Sequence, residues 1–260
     1  MKGEKRSLGC RLRAKAPLGG GLVRLDFEWP FAPPRAGQFF MVKPARTSVF
    51  LARPLSAAAC GEESVAFLAA VRGKGTAELA AMPPGEEALL TGPLGKGWAA
   101  FLPQNAVKPV MLISGGLGIA PLAAFGAELR HTSVSFDLLA GFVRGADGEN
   151  ILSALGIGMD EAIIVSEDGG LQNAKRGLVT RFLDAQKYSA VFACGPPAML
   201  RSAALLCREA GTPCFVSLET RMACGTGACL GCAVPARDGT YRHCCTDGPV
   251  FDAEDVFFDE

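Results

Sequence analysis

Four cysteines constrain this chain more than any other feature. They stand as Cys224-x4-Cys229-x2-Cys232 in the stretch RMACGTGACLGC, with Cys245 after twelve intervening residues. A C-x4-C-x2-C run with a distant fourth thiolate is the plant-type ligand set of a [2Fe-2S] cluster, so these positions are expected to converge on one metal site. The residues between the first two, Gly225, Thr226, Gly227 and Ala228, are small. A loop of that kind can wrap a cluster closely and aim backbone N–H groups at its sulfur atoms. Two other readings stay open: packed core thiols, and a zinc site completed by His243. Cys244 and Cys245 are adjacent, and spacing does not choose between them.

Cys10, Cys60, Cys207 and Cys214 are scattered and carry no assigned function, and Cys194 is discussed below. No apolar run suited to export appears in MKGEKRSLGCRLRAK, and no later segment holds eighteen uninterrupted apolar residues. A cytoplasmic protein without a membrane span is therefore expected, in which thiols bind metal or pack rather than form disulfides. The 26 basic residues balance 26 acidic ones, which leaves no electrostatic footprint for nucleic acid or an anionic membrane.

Hydrophobic patterning divides the chain into three. Up to about Gly95, six short β-rich runs (RLRAKAPL, GLVRLDFEW, QFFMVKP, SVFLARPLS, SVAFLAAVR and EALLTGP) are separated by Gly, Pro or Glu-Glu clusters. They predict a small antiparallel barrel. Beyond Pro109 the apolar strands VMLIS, VSFDLLAGF, AIIVSED, AVFACGP and CFVSL alternate with helical stretches. One helix presents Leu122, Phe125 and Leu129 on a single face and another ends at Gly211, the pattern of a parallel sheet with crossover helices. After Ser217 neither rhythm holds, so something other than an apolar core is expected to secure the tail. The expected organisation is multi-domain β and α/β: a barrel over 1-103, a parallel-sheet nucleotide-binding domain over 104-213, and a small cluster-binding domain over 214-260.

VMLISGGLGIAPLAAF reads as strand, glycine turn and helix. Gly115, Gly116 and Gly118 let backbone approach a phosphate, and Pro121 suits the first helical turn. CGPPAML places Cys194 and Gly195 at the carboxyl end of a later strand, on the sheet edge where parallel sheets bind ligands. In the barrel, ARPLS holds Arg53 and Ser56, and VRGKGTAEL places glycines around Lys74 ahead of Thr76, an expected N-cap for a helix starting at Ala77. Each motif alone also has a plain structural reading.

In this order the motifs resemble a known family. R-P-x-S, G-x-G-T and G-P-L-G, then G-G-x-G-x-A-P and C-G-P-x-x-M, then C-x4-C-x2-C and a fourth cysteine before TDGPVF, are similar to the electron-transfer subunits of dihydroorotate dehydrogenase B, within the ferredoxin-NADP reductase superfamily. The resemblance implies a Greek-key barrel carrying FAD, a Rossmann-like domain for NAD, and a [2Fe-2S] cluster in the tail. It implies that Arg53, Pro54, Leu55 and Ser56 line the flavin and that Gly75 and Thr76 hold its phosphates. Gly115, Gly116, Gly118 and Pro121 would frame the nucleotide, with Cys194 and Gly195 near the nicotinamide. Cys224, Cys229, Cys232 and Cys245 would hold iron, the last chosen because relatives leave one residue between the fourth ligand and D-G-P. The implied partner is an FMN-bearing dihydroorotate dehydrogenase catalytic subunit, two of each forming a heterotetramer in pyrimidine biosynthesis. Two departures stand out: Ala69-Ala70 where relatives often carry Tyr-Arg, and SEDGGLQNAKRG in place of D-D-G-S-x-G. Arg144, read as a solvated loop residue rather than a 2′-phosphate ligand, leaves NAD as the expected nucleotide. The alternatives are a related subunit of a ferredoxin-NADP or sulfide-linked oxidoreductase, and a zinc-stabilised nucleotide-binding module.

Overall fold

A computed structural model describes residues 6–104 and 106–257. Residues 1–5 and 258–260, at the outer ends of the expected first and third domains, lie outside the described residues.

The six β-rich runs become β1 (Arg6–Gly19), β2 (Leu22–Glu28), β3 (Phe39–Pro44), β4 (Arg53–Gly61), β5 (Ser64–Ala70) and, after helix α1 (Lys74–Ala81), β6 (Glu87–Leu94). They close into a barrel of order β1-β2-β5-β4-β3-β6. Every pairing is antiparallel, and β2 skips β3 to pair with β5, which makes the connection a Greek key. Alternation fills the interior: Val23, Leu25 and Phe27 of β2 point inward with Val65, Phe67 and Phe40. Phe40 meets Phe67 and Trp29 edge to face at 5.5 and 4.8 Å. One expected strand is shorter at its start, because SVFL precedes β4 as irregular chain with Phe50 exposed.

The second unit contains β7 (Val110–Gly115), α2 (Ile119–Leu129), β8 (Phe136–Phe142), α3 (Gly145–Leu155), β9 (Ile163–Ser166), the two-residue β10 (Lys175–Arg176), β11 (Ala190–Cys194), α4 (Pro197–Ala210) and β12 (Cys214–Ser217). Alternate residues of β7 serve opposite faces: Val110 and Leu112 pack with Phe125 and Leu129 of α2, while Met111 and Ile113 pack with Leu200 and Ala203 of α4. Gly211 ends α4 at φ 66°, a left-handed position that glycine fills without a Cβ clash.

The tail holds a ribbon of β13 (Ala233–Pro235) and β14 (Tyr241–His243), then β15 (Val250–Asp252) and a single turn, α5 (Ala253–Val256). β15 joins the larger sheet, whose order is β10-β9-β8-β7-β11-β12-β15, antiparallel to β12. Here the expectation of a tail without an apolar core is corrected. Phe251, Ala253 and Val256 are buried in the same core as Ile113, Val191 and Val216, together with Cys232, Cys244 and Cys245. A three-residue strand is too short for its periodicity to register in sequence. The sheet also runs past residue 213, since β12 pairs in parallel with β11. Lys96 N–H donates to Gly248 C=O at 2.6 Å, and Arg208 of α4 pairs with Glu254 at 2.7 Å, so the tail is tied to barrel and sheet alike.

Candidate electron-transfer site

One cavity of about 930 Å³ lies where barrel, sheet and tail meet. Its volume is at the upper end of the range for small-molecule and cofactor sites. From the barrel it is lined by Pro54, Leu55, Ser56 and Thr76; from the sheet by Gly115, Gly116, Gly118, Pro121, Cys194 and Gly195; from the tail's approach by Thr220 and Met222. Ten of the twelve expected flavin- and nucleotide-contacting residues therefore share one chamber.

Arg53 and Gly75 stand just behind that lining. The Arg53 guanidinium donates to the carbonyls of Leu51 and Ala52 at 2.8 and 3.2 Å and covers Gly75, where an added Cβ would lie 2.5 Å from its Cζ. Thr76 is not the N-cap. The helix begins at Lys74 after an extended Gly73, and Thr76 sits in its first turn with Oγ1 accepting from Arg72 N–H at 3.0 Å and Gly73 N–H at 3.2 Å. Glycine supplies the extended entry, and a hydroxyl one turn in reaches back to it. Ala69 and Ala70 line the cavity.

On the sheet edge, Gly116 adopts φ 55° and α2 follows with Pro121 in its first turn. Gly118 packs against the Cys194–Gly195 peptide so closely that an added Cβ would lie 2.5 Å from the Cys194 carbonyl carbon and 2.8 Å from Gly195 N. The two loops thus form one surface at the carboxyl ends of β7 and β11, with α2 N–H groups opening toward it. The Cys194 thiol is pushed up to about 12, first by burial and then by the Glu219 charge. It is a neutral group at physiological pH. Thr220 Oγ1 is buried on the cavity wall with no oxygen or nitrogen partner and faces only the Cys244 thiol. A hydroxyl left with only a thiol as partner there suits a wall completed by a bound group.

The cysteine loop begins two residues beyond Met222. Cys224 Sγ accepts from Thr226 N–H and Cys229 N–H, each at 3.4 Å, and these donors together with the Cys229 thiol lower its pKa to about 6 despite partial desolvation. Cys232 Sγ and Cys245 Sγ are 3.3 Å apart. Cys245 is pushed up to about 12, chiefly by burial, while Gly227 N–H acts in the opposite sense and Cys224 is close enough to add a Coulombic contribution. Cys224 with Cys229 and Cys232 with Cys245 therefore form two sulfur pairs beside backbone N–H groups of Thr226, Gly227 and Cys229, while among the described residues no three such side chains are drawn together as a single-ion site. That donor set fits a cluster, whose negative charge such N–H groups offset. Cys244 points the other way, into the core beside Thr220, and burial pushes it up to about 11. His243 Nδ1 is 3.7 Å from Asp247 Oδ2, its nearest charged partner. Gly225 and Gly227 take φ 71° and 92°, and an added Cβ on Gly225 would lie 2.5 Å from Met41 Cγ of the barrel. The loop is pressed onto the barrel at that point.

Sequence reasoning did not find Glu167, Thr220, Met222 or Phe39 on the cavity wall. Only Thr220 and Met222, flanking the start of the cysteine motif, offered a positional hint.

Comparison with known proteins follows this geometry. The iron-sulfur cluster binding domain of dihydroorotate dehydrogenase B matches residues 219–257. The electron transfer subunit of dihydroorotate dehydrogenase B (NAD(+)) from Caldanaerobacter subterraneus subsp. tengcongensis is 34% identical over 254 residues, covering 96% of this chain and 98% of that one. The chain belongs to this family of electron transfer subunits. A Clostridium perfringens subunit of the same description is 36% identical over 225 residues, covering 86% of this chain and 87% of its own. Among solved structures, the NADH-dependent reduced ferredoxin-NADP oxidoreductase superposes with a TM-score of 0.80 at 25% identity, over 100% of this chain and 92% of that one. The ferredoxin reductase of carbazole 1,9a-dioxygenase, at 21% identity and a TM-score of 0.67 over 80% of this chain and 66% of that one, shares the reductase fold. Within the described residues of this dihydroorotate dehydrogenase B type subunit, no helix is long and apolar enough to cross a membrane.

Proposed function

We propose that this chain carries electrons between an FMN-bearing dihydroorotate dehydrogenase catalytic subunit and NAD+, in a cytoplasmic complex of two copies of each. The observation that carries the reading is a single chamber whose walls come from barrel and sheet and whose far side, at Thr220 and Met222, leads directly into the four-cysteine loop. When bound, a flavin supplies the exchange between hydride transfer at a nicotinamide and single-electron transfer at an iron-sulfur cluster. The segments divide the work: 1-103 for FAD, 104-213 for the nicotinamide nucleotide, and 214-260 for the [2Fe-2S] cluster, with β12 and β15 fastening the last to the second.

The protein's own residues bind, orient and exclude water. Pro54, Leu55 and Ser56 form the barrel wall for an isoalloxazine, while Arg53, locked by the Leu51 and Ala52 carbonyls, supports Gly75 and Thr76 beneath a pyrophosphate. Gly115, Gly116, Gly118 and Pro121 bring backbone N–H groups to the second nucleotide, and Cys194 with Gly195 closes the floor beside it. The neutral, buried Cys194 thiol keeps that floor uncharged at physiological pH. Cys224, Cys229, Cys232 and Cys245 are the proposed iron ligands.

The test is reconstitution with the catalytic subunit. Dihydroorotate-dependent NAD+ reduction should appear only when both subunits are present, with one flavin and a two-iron, two-sulfide content on this chain. Light scattering should give the mass of two copies of each. A second reading, a subunit serving a ferredoxin-linked oxidoreductase, is favoured by the whole-chain likeness to the ferredoxin-NADP enzyme. Reduction by reduced ferredoxin in place of dihydroorotate would select it. Zinc without iron in the purified protein would overturn both.

A further inference from the structure

The β1–β2 hairpin fastens the barrel to α3 by contacts that no sequence motif marked. It turns through Gly20 and Gly21, whose φ of 57° and 78° are left-handed at both central positions, as a type I′ turn demands. An added Cβ on Gly20 would lie 2.8 Å from Asp147 Oδ1, and one on Gly19 would lie 3.5 Å from Asn150 Nδ2. Leu18 is buried in one cluster with Ile151 and Leu152 of α3, and Leu22 packs against it. Behind the tip stands Arg24. Its Nε and Nη2 donate to Asp26 Oδ2 and Oδ1 at 2.9 and 2.7 Å, while Nη1 donates to the Ala154 carbonyl in the last turn of α3. The helix leaves that carbonyl open, since the N–H groups of Ile157 and Gly156 go to Leu152 and Ser153. A cation at a helix carboxyl end is favoured further by the helix dipole. The Arg24 and Asp26 side chains are only 27% and 24% exposed, so salt screens this pair less than a surface one.

We infer that Arg24 is a positioning residue: by joining β2 to the carboxyl end of α3, it fixes how far the barrel wall of the cavity stands from the sheet wall. This rests on the reading that the cavity holds a flavin and a nicotinamide nucleotide together. One flank of the hairpin leads to the barrel wall. Gly21 C=O accepts from Val71 N–H at 2.8 Å and Leu22 pairs with Ala70, while Ala69, Ala70 and Arg72 line the cavity. The other flank leads to the sheet wall. There α3 starts at Gly145, two residues after cavity-lining Val143, and Gly145 N–H donates to Asp168 at 3.1 Å, next to cavity-lining Glu167. The apolar contact at Leu18 holds the two units together without direction, whereas the charged hydrogen bond from Arg24 has one. A further tie, from Ala36 N–H to Glu128 of α2 at 2.6 Å, leaves rotation about itself, which a tie to a different helix removes. Spacing matters because a misplacement of about 1 Å between reacting groups costs on the order of a hundredfold in rate.

The test uses the full-length protein with its flavin and cluster. Arg24→Met keeps much of the apolar stem and removes the donors. Flavin content and the calorimetric affinity for NAD+ should stay within about threefold of the wild type, because neither site loses a contact. Reduction of the flavin by NADH, followed by stopped-flow in a single turnover, should slow by at least about tenfold. The long-wavelength charge-transfer absorbance between reduced flavin and NAD+ should weaken with it. Arg24→Lys keeps the charge but lacks the fork that holds Asp26 and Ala154 at once, so both readouts should fall between methionine and wild type. Arg13→Met removes a barrel pairing with Glu28 and Glu63 and should leave both unchanged. Wild-type rate and absorbance in Arg24→Met overturn the inference, and if that variant does not fold, the same result in Arg24→Lys does so. A rate that falls only in proportion to lost flavin or lost NAD+ affinity also overturns it. A wild type whose flavin NADH does not reduce overturns the shared-cavity reading itself, and the inference with it.

Discussion

Gly118→Ala is the sharpest probe of the chamber. The new methyl would lie 2.5 Å from the Cys194 carbonyl carbon and 2.8 Å from Gly195 N, both backbone atoms that cannot rotate away. Ordinary carbon contacts are about 3.5–4.0 Å, so the glycine turn and the Cys194–Gly195 loop must part by roughly 1 Å. Overpacking of this sort costs about 1–3 kcal/mol. If the fold retains the strain, Tm should fall by about 2–4 °C per kcal/mol for a chain of this size. If the turn splays to relieve it, the cost appears in nucleotide affinity, as a loss of about fivefold to 150-fold. Calorimetric titration with NAD+ and a thermal melt together capture both outcomes. Gly116→Ala supplies the contrast, since a Cβ there meets nothing within 4 Å and only the φ of 55° is unfavourable, at about 1–2 kcal/mol. It should lower Tm and leave the Cys194 loop in place. A Gly118→Ala protein with both Tm and NAD+ affinity unchanged would falsify the claim that these two loops form one binding surface.

Two further predictions concern the tail and the interdomain contact. Cys245→Ser should abolish bound iron and sulfide and leave only the flavin's visible absorption, whereas Cys244→Ser should retain the iron, the sulfide and the cluster's absorption; equal loss in the two variants would refute the assignment of Cys245 as ligand. Glu128 on α2 accepts from Ala36 N–H of the barrel at 2.6 Å, yet burial raises its pKa above the ordinary 4.5, outweighing that N–H and the nearby Arg35. Its folded state therefore binds the proton more tightly, so stability falls as pH rises from about 4.5 through the raised pKa and stays lowered above it. Glu128→Gln, which can still accept from Ala36, should melt higher than wild type at pH 7, with the difference closing as pH falls toward 4.5; a difference independent of pH would count against burial as the cause.

The barrel and the parallel sheet were legible because strands of five or more residues repeat their alternation often enough to register. Residues 22–28 show period two plainly, and the continuous burial of β7 matches an apolar run covered on both sides. The glycine turn and the cysteine spacing were legible for a different reason: close approach of backbone to a ligand leaves few residue types possible. Thr76 was misplaced as an N-cap because a hydroxyl beside a glycine suits two positions in a first turn. The tail's core was hidden because β15 contributes only three residues to a sheet whose other strands lie far upstream.

Sequence by itself determined that four thiols at plant-type spacing, a glycine-rich βα turn and a six-stranded barrel occur in one chain, since each depends on local spacing and on the conformations glycine alone permits. Only the tertiary structure decided that Cys245 turns toward Cys232 while Cys244 turns into the core, that Arg53 stands behind the cavity wall, and that Arg144 is held by Asp147. Those choices depend on packing between segments distant in the chain, where a neighbour's burial or charge sets the direction of a side chain and no local pattern records it.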